Sequence, residues 1–260
     1  MKLNATTDLR AALRKLEAAG GSASKVLRRE VAVFAGSFTR DIVQQWTPPA
    51  GPSLRGTQAR KAGEKAVHRD VHRIFATAGY AYQTIAARDP AQADYFWLLL
   101  MAGDYDEAQR ILRLHTSNAR LRSAQVSYRP TTGLHQTARK NGRVPTSQRV
   151  LQVVRDQRAL ANYIKARQAK VGLLMAGWKK AAAFFNIRLH AWVERHPTGG
   201  QIRPQLTPTR TAYRITNDAP HGGVNDLPRK ARALADIKMN QLRRRLPFVI
   251  KSEIRKLRTS

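Results

Sequence analysis

Cysteine is missing from all 260 residues, which excludes disulfides and thiolate metal sites. Carboxylates are scarce: 17 Asp and Glu stand against 47 Lys and Arg, a formal net charge of +30. Few acids, and none clustered where the chain reads as loop, argue against hydrolase chemistry and against an Mg²⁺-holding centre. Aromatics make up only 7% and most sit on apolar helical stripes, so a stacking platform for single strands has little support. Long apolar runs are absent as well. The longest, residues 95–102, is far short of the roughly 20 residues that a membrane span needs. The N-terminus carries charges every few residues and no apolar block of signal-peptide length. These absences point to a cytoplasm-like compartment, or a particle assembled there, with no membrane partner.

What is present is positive charge on a foldable chain. Hydrophobic residues are 42%, close to the ordinary globular share, so a packed core is expected rather than wholesale disorder. Uncompensated charge of one sign repels itself in the compact state. It implies a polyanion or an acidic protein surface that neutralises it, nucleic acid being the commonest such partner through counterion release. Composition leaves the choice between those two partners open.

The periodicity predicts helices over residues 7–19 and from Ser22 or Ser24 to Trp46, where Thr47-Pro48-Pro49 stops the second. A third is expected over 57–78, followed by short helices over 90–101 and 104–114, with Asp104 and Glu107 as a capping-box variant. Residues 117–148 read as short strands and loops, with a turn at Asn141-Gly142. A long helix is expected over 158–185, with Trp178 on its buried stripe, and a short one over 188–195. Two strands over 201–206 and 210–216 precede a terminal helix over 228–257 that contains Pro247. The fold class is α+β: mostly helical, with long helices on a small antiparallel sheet and a helical N-terminal part. The expected division is a helical region 1–116 and an α+β region 117–260.

The charge is concentrated. Between Ala108 and Val193 a single acid, Asp156, faces seventeen basic residues. The loop-like section supplies Arg120, Arg122, Arg139, Lys140 and Arg143, and the terminal helix supplies Arg243, Arg244 and Arg245. These eight are the candidate residues for gripping a polyanion or an acidic partner. Leu242 and Leu246 hold the inward face of their helix, which leaves the three consecutive arginines outward. An acidic block, Asp89 to Glu107, inverts the pattern, either as a dock for a basic neighbouring copy or as acidic helix starts that suit their dipoles.

Other motifs carry less. Gly51 to Thr57 resembles a phosphate loop without its Lys or its preceding strand. His68 and His72 share a helix face but lack a zinc-protease arrangement. His190 and His196, flanking Trp192, read as packing or helix-end residues. Gly103 to Ala108 resembles a tetratricopeptide turn, but no copy follows at about 34 residues. No cofactor, metal or catalytic residue is assigned, and the protein reads as a non-enzyme.

Taken in order, several segments resemble the tail-completion, or neck, proteins of long-tailed bacteriophages. They are Ile42-Val43-Gln44-Gln45-Trp46-Thr47-Pro48-Pro49 to Leu54-Arg55, Lys170 to Trp178 leading into Ala191 to His196, and Ala212 to Pro220 before a basic terminal helix. Residues 78–147 read as an insertion relative to the smaller members, and the usual Thr-Gly before Leu54-Arg55 is missing. The resemblance implies a virion structural protein of the head–tail junction or upper tail. Such a protein acts in several copies around a channel, meets portal, connector or tail-ring subunits and has no catalytic residues. Assembly in the host cytoplasm goes with it, and double-stranded DNA becomes a further partner. The competing reading is a free, basic nucleic-acid-binding protein of the architectural or packaging kind.

Overall fold

A computed structural model describes residues 7–18, 20, 22–49, 56–140, 143–206, 211–219 and 227–259. The first helix, α1, spans Thr7–Ala18. Ser22 accepts the Lys25 N–H and so starts α2, Ala23–Asp41, which runs on as a π-helical turn over Ile42–Trp46. α3 covers Gly56–Ile74. Next come β1 (Phe75–Thr77), α4 (Ala78–Ala86), α5 (Pro90–Ala102) and α6 (Tyr105–His115). The middle of the chain supplies β2 (Gln125–Ser127), α7 (Leu134–Thr137), β3 (Gln152–Val154) and α8 (Gln157–Gln168). Short helices α9 (Leu173–Ala176), α10 (Lys179–Phe184) and α11 (Ala191–Glu194) lead to the strands β4 (Gln201–Leu206) and β5 (Thr211–Thr216). The terminal helix α12 spans Leu227–Thr259. The chain is 64% helical with small sheets, the α+β class expected. Among the described residues no helix is long and apolar enough to cross a membrane.

The described residues fall into two units. Residues 7–59, 172–219 and 227–259 form one, and 60–171 form the other. Ser117, where composition changes, lies inside the second unit, its N–H bonded to Thr84 O at 3.0 Å. Residues 78–147, read as an insertion, also lie within this unit.

In the first unit α1, α2 and α12 share a core of Leu16, Val26, Val31, Met239, Leu242, Leu246 and Ile250. The leucines of α12 are the stripe that the spacing predicts. Three ion pairs stitch α2 to α12: Lys238–Asp41 at 2.6 Å, Arg245–Glu30 at 3.1 Å and Arg29–Glu253 at 3.1 Å. Their order, rising along α12 and falling along α2, makes the two helices antiparallel. β4 and β5 form the expected antiparallel pair.

The long helix expected over 158–185 is instead three pieces. Gly172 turns to φ +96°, and a side chain there would meet Trp192 Cζ3 at 2.4 Å. A left-handed residue in close contact with an indole ends a helix whatever the apolar periodicity beyond it. Trp178 is nonetheless buried, 6% exposed, and its indole N–H donates to Thr47 Oγ1 at 3.1 Å.

The second unit holds a sheet that the periodicity did not predict: three parallel strands in the order β1-β3-β2. Alternate residues go to opposite faces. Ala76, Val126 and Val153 pack with α4, α5 and α6 around Phe96, Leu100 and Leu112. Phe75 and Val154 pack on the other face with Val71 and Ile74 of α3 and Leu160 and Ile164 of α8. Helices therefore cover both faces, as a parallel sheet requires. Gln152 is buried at the centre and fully engaged. Its Oε1 accepts Thr131 N–H at 2.9 Å, and its Nε2 donates to Ser127 Oγ at 2.6 Å and Thr131 Oγ1 at 2.9 Å.

Candidate polyanion-binding surfaces

Parallel strands start at the same end, so the segments feeding them are brought together. The end of α3 feeds β1, residues 117–124 feed β2, and residues 143–151 feed β3. Arg120 and Arg122, distant in sequence from Arg143 and Arg149, thus join them at one end of the sheet. Arg120 ties two of these segments: its N–H donates to Asn118 Oδ1 at 2.9 Å and its guanidinium to Gln148 O at 2.6 Å. Arg73 ties the third, donating to Val144 O at 2.7 Å beside Asp70. A cleft of about 330 Å³ runs here, bounded by His72, Arg73, Thr77, Tyr80, Asn118 and Arg120 over Phe75, Ala76 and Val150. Asn118 Nδ2 donates to Tyr80 OH at 3.0 Å and closes its rim.

The loop arginines differ in what they present. Arg120, Arg122, Lys140 and Arg143 are exposed. Lys140 and Arg143 form an antiparallel bridge, N–H to O at 2.8 and 3.1 Å. The turn expected between them, Asn141-Gly142, lies outside the described residues. Arg139 is half-buried. Burial pulls its pKa below the ordinary arginine value, Asp70 opposes that, and Arg167 adds repulsion. Beside it His135 is 4% exposed, and burial, with Arg139 and Arg167 nearby, pulls its pKa down to about 4.

On α12 the three arginines divide as well. Arg243 and Arg244 are exposed, with no carboxylate at ion-pair distance among the described residues. Phe248, 74% exposed, and Lys251 and Arg255 stand beyond them along the helix. Arg245 is exposed as well, and its Nε lies 3.1 Å from Oε2 of Glu30, a residue only 3% exposed. Its guanidinium serves the α2–α12 interface first.

The carboxylates explain why so much positive charge is left over. Asp89, Asp104 and Asp156 accept the N–H groups that start α5, α6 and α8. Asp94 accepts the Tyr82 hydroxyl at 2.7 Å, which raises the phenol's pKa. Glu64 pairs with Arg60, and Glu107 pairs with Arg110, which lowers its pKa. In the acidic block, therefore, Asp89 and Asp104 serve as helix starts. The His68 and His72 rings lie 4.3 Å apart, tilted by 52°; burial first, then His68, lowers the His72 pKa. No group of three metal-ligating side chains occurs among the described residues. The chain matches no protein-family model, and neither a curated protein nor a solved structure matches it.

Proposed function

We propose that this chain is a non-enzymatic structural protein of a bacteriophage virion, at the head–tail junction or upper tail, whose basic surfaces grip acidic neighbouring subunits, and DNA with them. The observation that carries this reading is how the resembling segments meet. Thr47 accepts the Trp178 indole N–H, Gly172 lies under Trp192, and Asn217 Nδ2 donates to Leu174 O at 2.8 Å. Gly177 lies so close to Asn217 that a side chain there would clash, its Cβ 1.7 Å from Oδ1. Residues 42–49, 172–178, 191–196 and 212–219, the described parts of these segments that share the first unit, thus pack together although they are far apart in sequence. Exposed Arg120, Arg122, Arg243 and Arg244, and carboxylates committed to caps and ion pairs, support a binding role over acid–base chemistry.

The test is the native mass of the purified chain, alone and mixed with the portal and tail-ring proteins encoded in the same genome. A discrete multimer, or a defined complex with a ring, is expected. A chain that stays monomeric in every mixture yet binds duplex DNA would overturn the virion reading in favour of a free nucleic-acid-binding protein.

A further inference from the structure

The β4–β5 pair sets two cations against each other. Its register puts Arg203 opposite Arg214 and Gln201 opposite Thr216. Directly opposed residues share a face, and like charges there repel. Both arginines are exposed, and neither has a carboxylate at ion-pair distance among the described residues. The strands cannot turn over to relieve the repulsion, because Tyr213 and Ile215 of the other face line the apolar groove of α2 and α12. A one-residue slip would move that apolar set to solvent.

Two further observations point to what occupies the face. Gln201, Arg203, Arg214 and Thr216 together line one open cleft of about 120 Å³. The Thr216 hydroxyl, shielded from water, has no hydrogen-bond partner among the described residues. Buried polar groups are normally paired, so an unmet hydroxyl beside two guanidiniums is one that a small side-chain rotation would offer to an incoming acceptor.

We propose that this face is a phosphate-binding site, with Arg203 and Arg214 holding the phosphoryl oxygens from two strands and Gln201 and Thr216 supplying neutral donors. A carboxylate has two coplanar oxygens, which one guanidinium satisfies by itself. A tetrahedral phosphate offers oxygens out of one plane, which suits donors converging from both strands. The phosphate is that of a duplex backbone, since an exposed two-stranded ribbon fits the major groove. Nothing in the proposal depends on where in a particle the protein sits.

The experiment uses the full chain and the double variant Arg203→Gln/Arg214→Gln. Melting is followed against inorganic phosphate, with chloride at matched ionic strength as the reference. Phosphate is expected to raise the wild-type Tm and leave the variant's unchanged. Without phosphate the variant should melt no lower than wild type, because a repulsive pair has gone. Binding of a labelled 20-base-pair duplex is then measured across salt. A log–log slope shallower by about 0.9 per lost contact assigns the site to the backbone. A lost phosphate shift with an unchanged slope assigns it to free phosphate. A double variant that keeps the full phosphate shift overturns the proposal, as does a wild type that phosphate does not stabilise. Should the double variant not unfold cooperatively, Arg214→Lys is read instead. It keeps the charge but loses the fork, so a reduced shift is expected and an undiminished one overturns the site.

Discussion

Arg243, Arg244 and Arg245 are consecutive and chemically identical, yet they should respond very differently to replacement by Ser. Glu30 is 3% exposed, and its carboxylate meets Arg245 at 3.1 Å and Arg29 at 3.4 Å. Arg29 is also shared with Glu253 at 3.1 Å. Removing Arg245 leaves a buried carboxylate with one long, divided contact. Breaking a fully buried pair costs roughly 3–5 kcal/mol, whereas exposed ion pairs contribute about 1 kcal/mol or less. Arg245 is 55% exposed and Arg29 remains, so solvent screening places the loss between these limits, about 2 kcal/mol. At about 2–4 °C per kcal/mol, Arg245→Ser should lower Tm by roughly 4–8 °C. Arg243→Ser and Arg244→Ser should stay within about 0.5 kcal/mol of wild type, as surface changes do. Replacing Glu30 and Arg245 together by Leu should recover most of the loss, since an apolar pair leaves no charge buried. Thermal melts by circular dichroism, repeated in urea, read all four variants. If the three single variants melt within a degree of one another, the assignment of Arg245 to the helix interface is wrong.

Three other perturbations test the fold. Trp178→Ala should cost about 3–5 kcal/mol by denaturant titration, since it empties a buried site and leaves the Thr47 hydroxyl without its donor; a loss under about 1 kcal/mol would contradict the burial. Gly172→Ala should cost about 3 kcal/mol, combining a left-handed φ with a contact against Trp192, whereas Gly103→Ala, also at positive φ but with open space around it, should cost only the backbone part. His135 is neutral when folded, with a pKa near 4 against about 6.5 unfolded, so the unfolded chain binds the proton first as pH falls. Stability should be full above about pH 6.5 and decline toward pH 4 by about 3 kcal/mol. His135→Leu should flatten that limb relative to wild type, and identical pH profiles would refute the assignment.

Local chemistry made much of the architecture legible. Ser22, Asp89 and Asp104 start their helices by accepting a backbone N–H three residues on, a signal contained within four residues. The leucine stripe of α12 and the strand pair near the C-terminus follow from periodicity in the same way. What was misread lies where a long-range partner overrides local pattern. Phe75 continues the helical spacing of α3, yet it is the first residue of β1 because Gln152 pairs with it from 77 residues away. The run Val150 to Val154 is short and, apart from Gln152, apolar, with no alternation to mark a strand that helices cover on both faces. Gly172 breaks a helix that its neighbours favour because Trp192 occupies the space a side chain would need.

The candidate surfaces divide along the same line. Composition alone determined that the chain carries far more cation than its own acids can pair, because a count of charges needs no geometry. It also located the richest stretches, and Arg120, Arg122, Arg243 and Arg244 stand exposed in them. Only tertiary structure decided which arginines remain available. Arg139 is half-buried and feels the charge of Asp70, 69 positions away, and Arg245, though exposed, pairs with Glu30, 215 positions away. It likewise opposed Arg203 and Arg214, ordinary lone charges in the sequence, because strand register is set by the apolar face packed on α2 and α12 and not by the charges themselves.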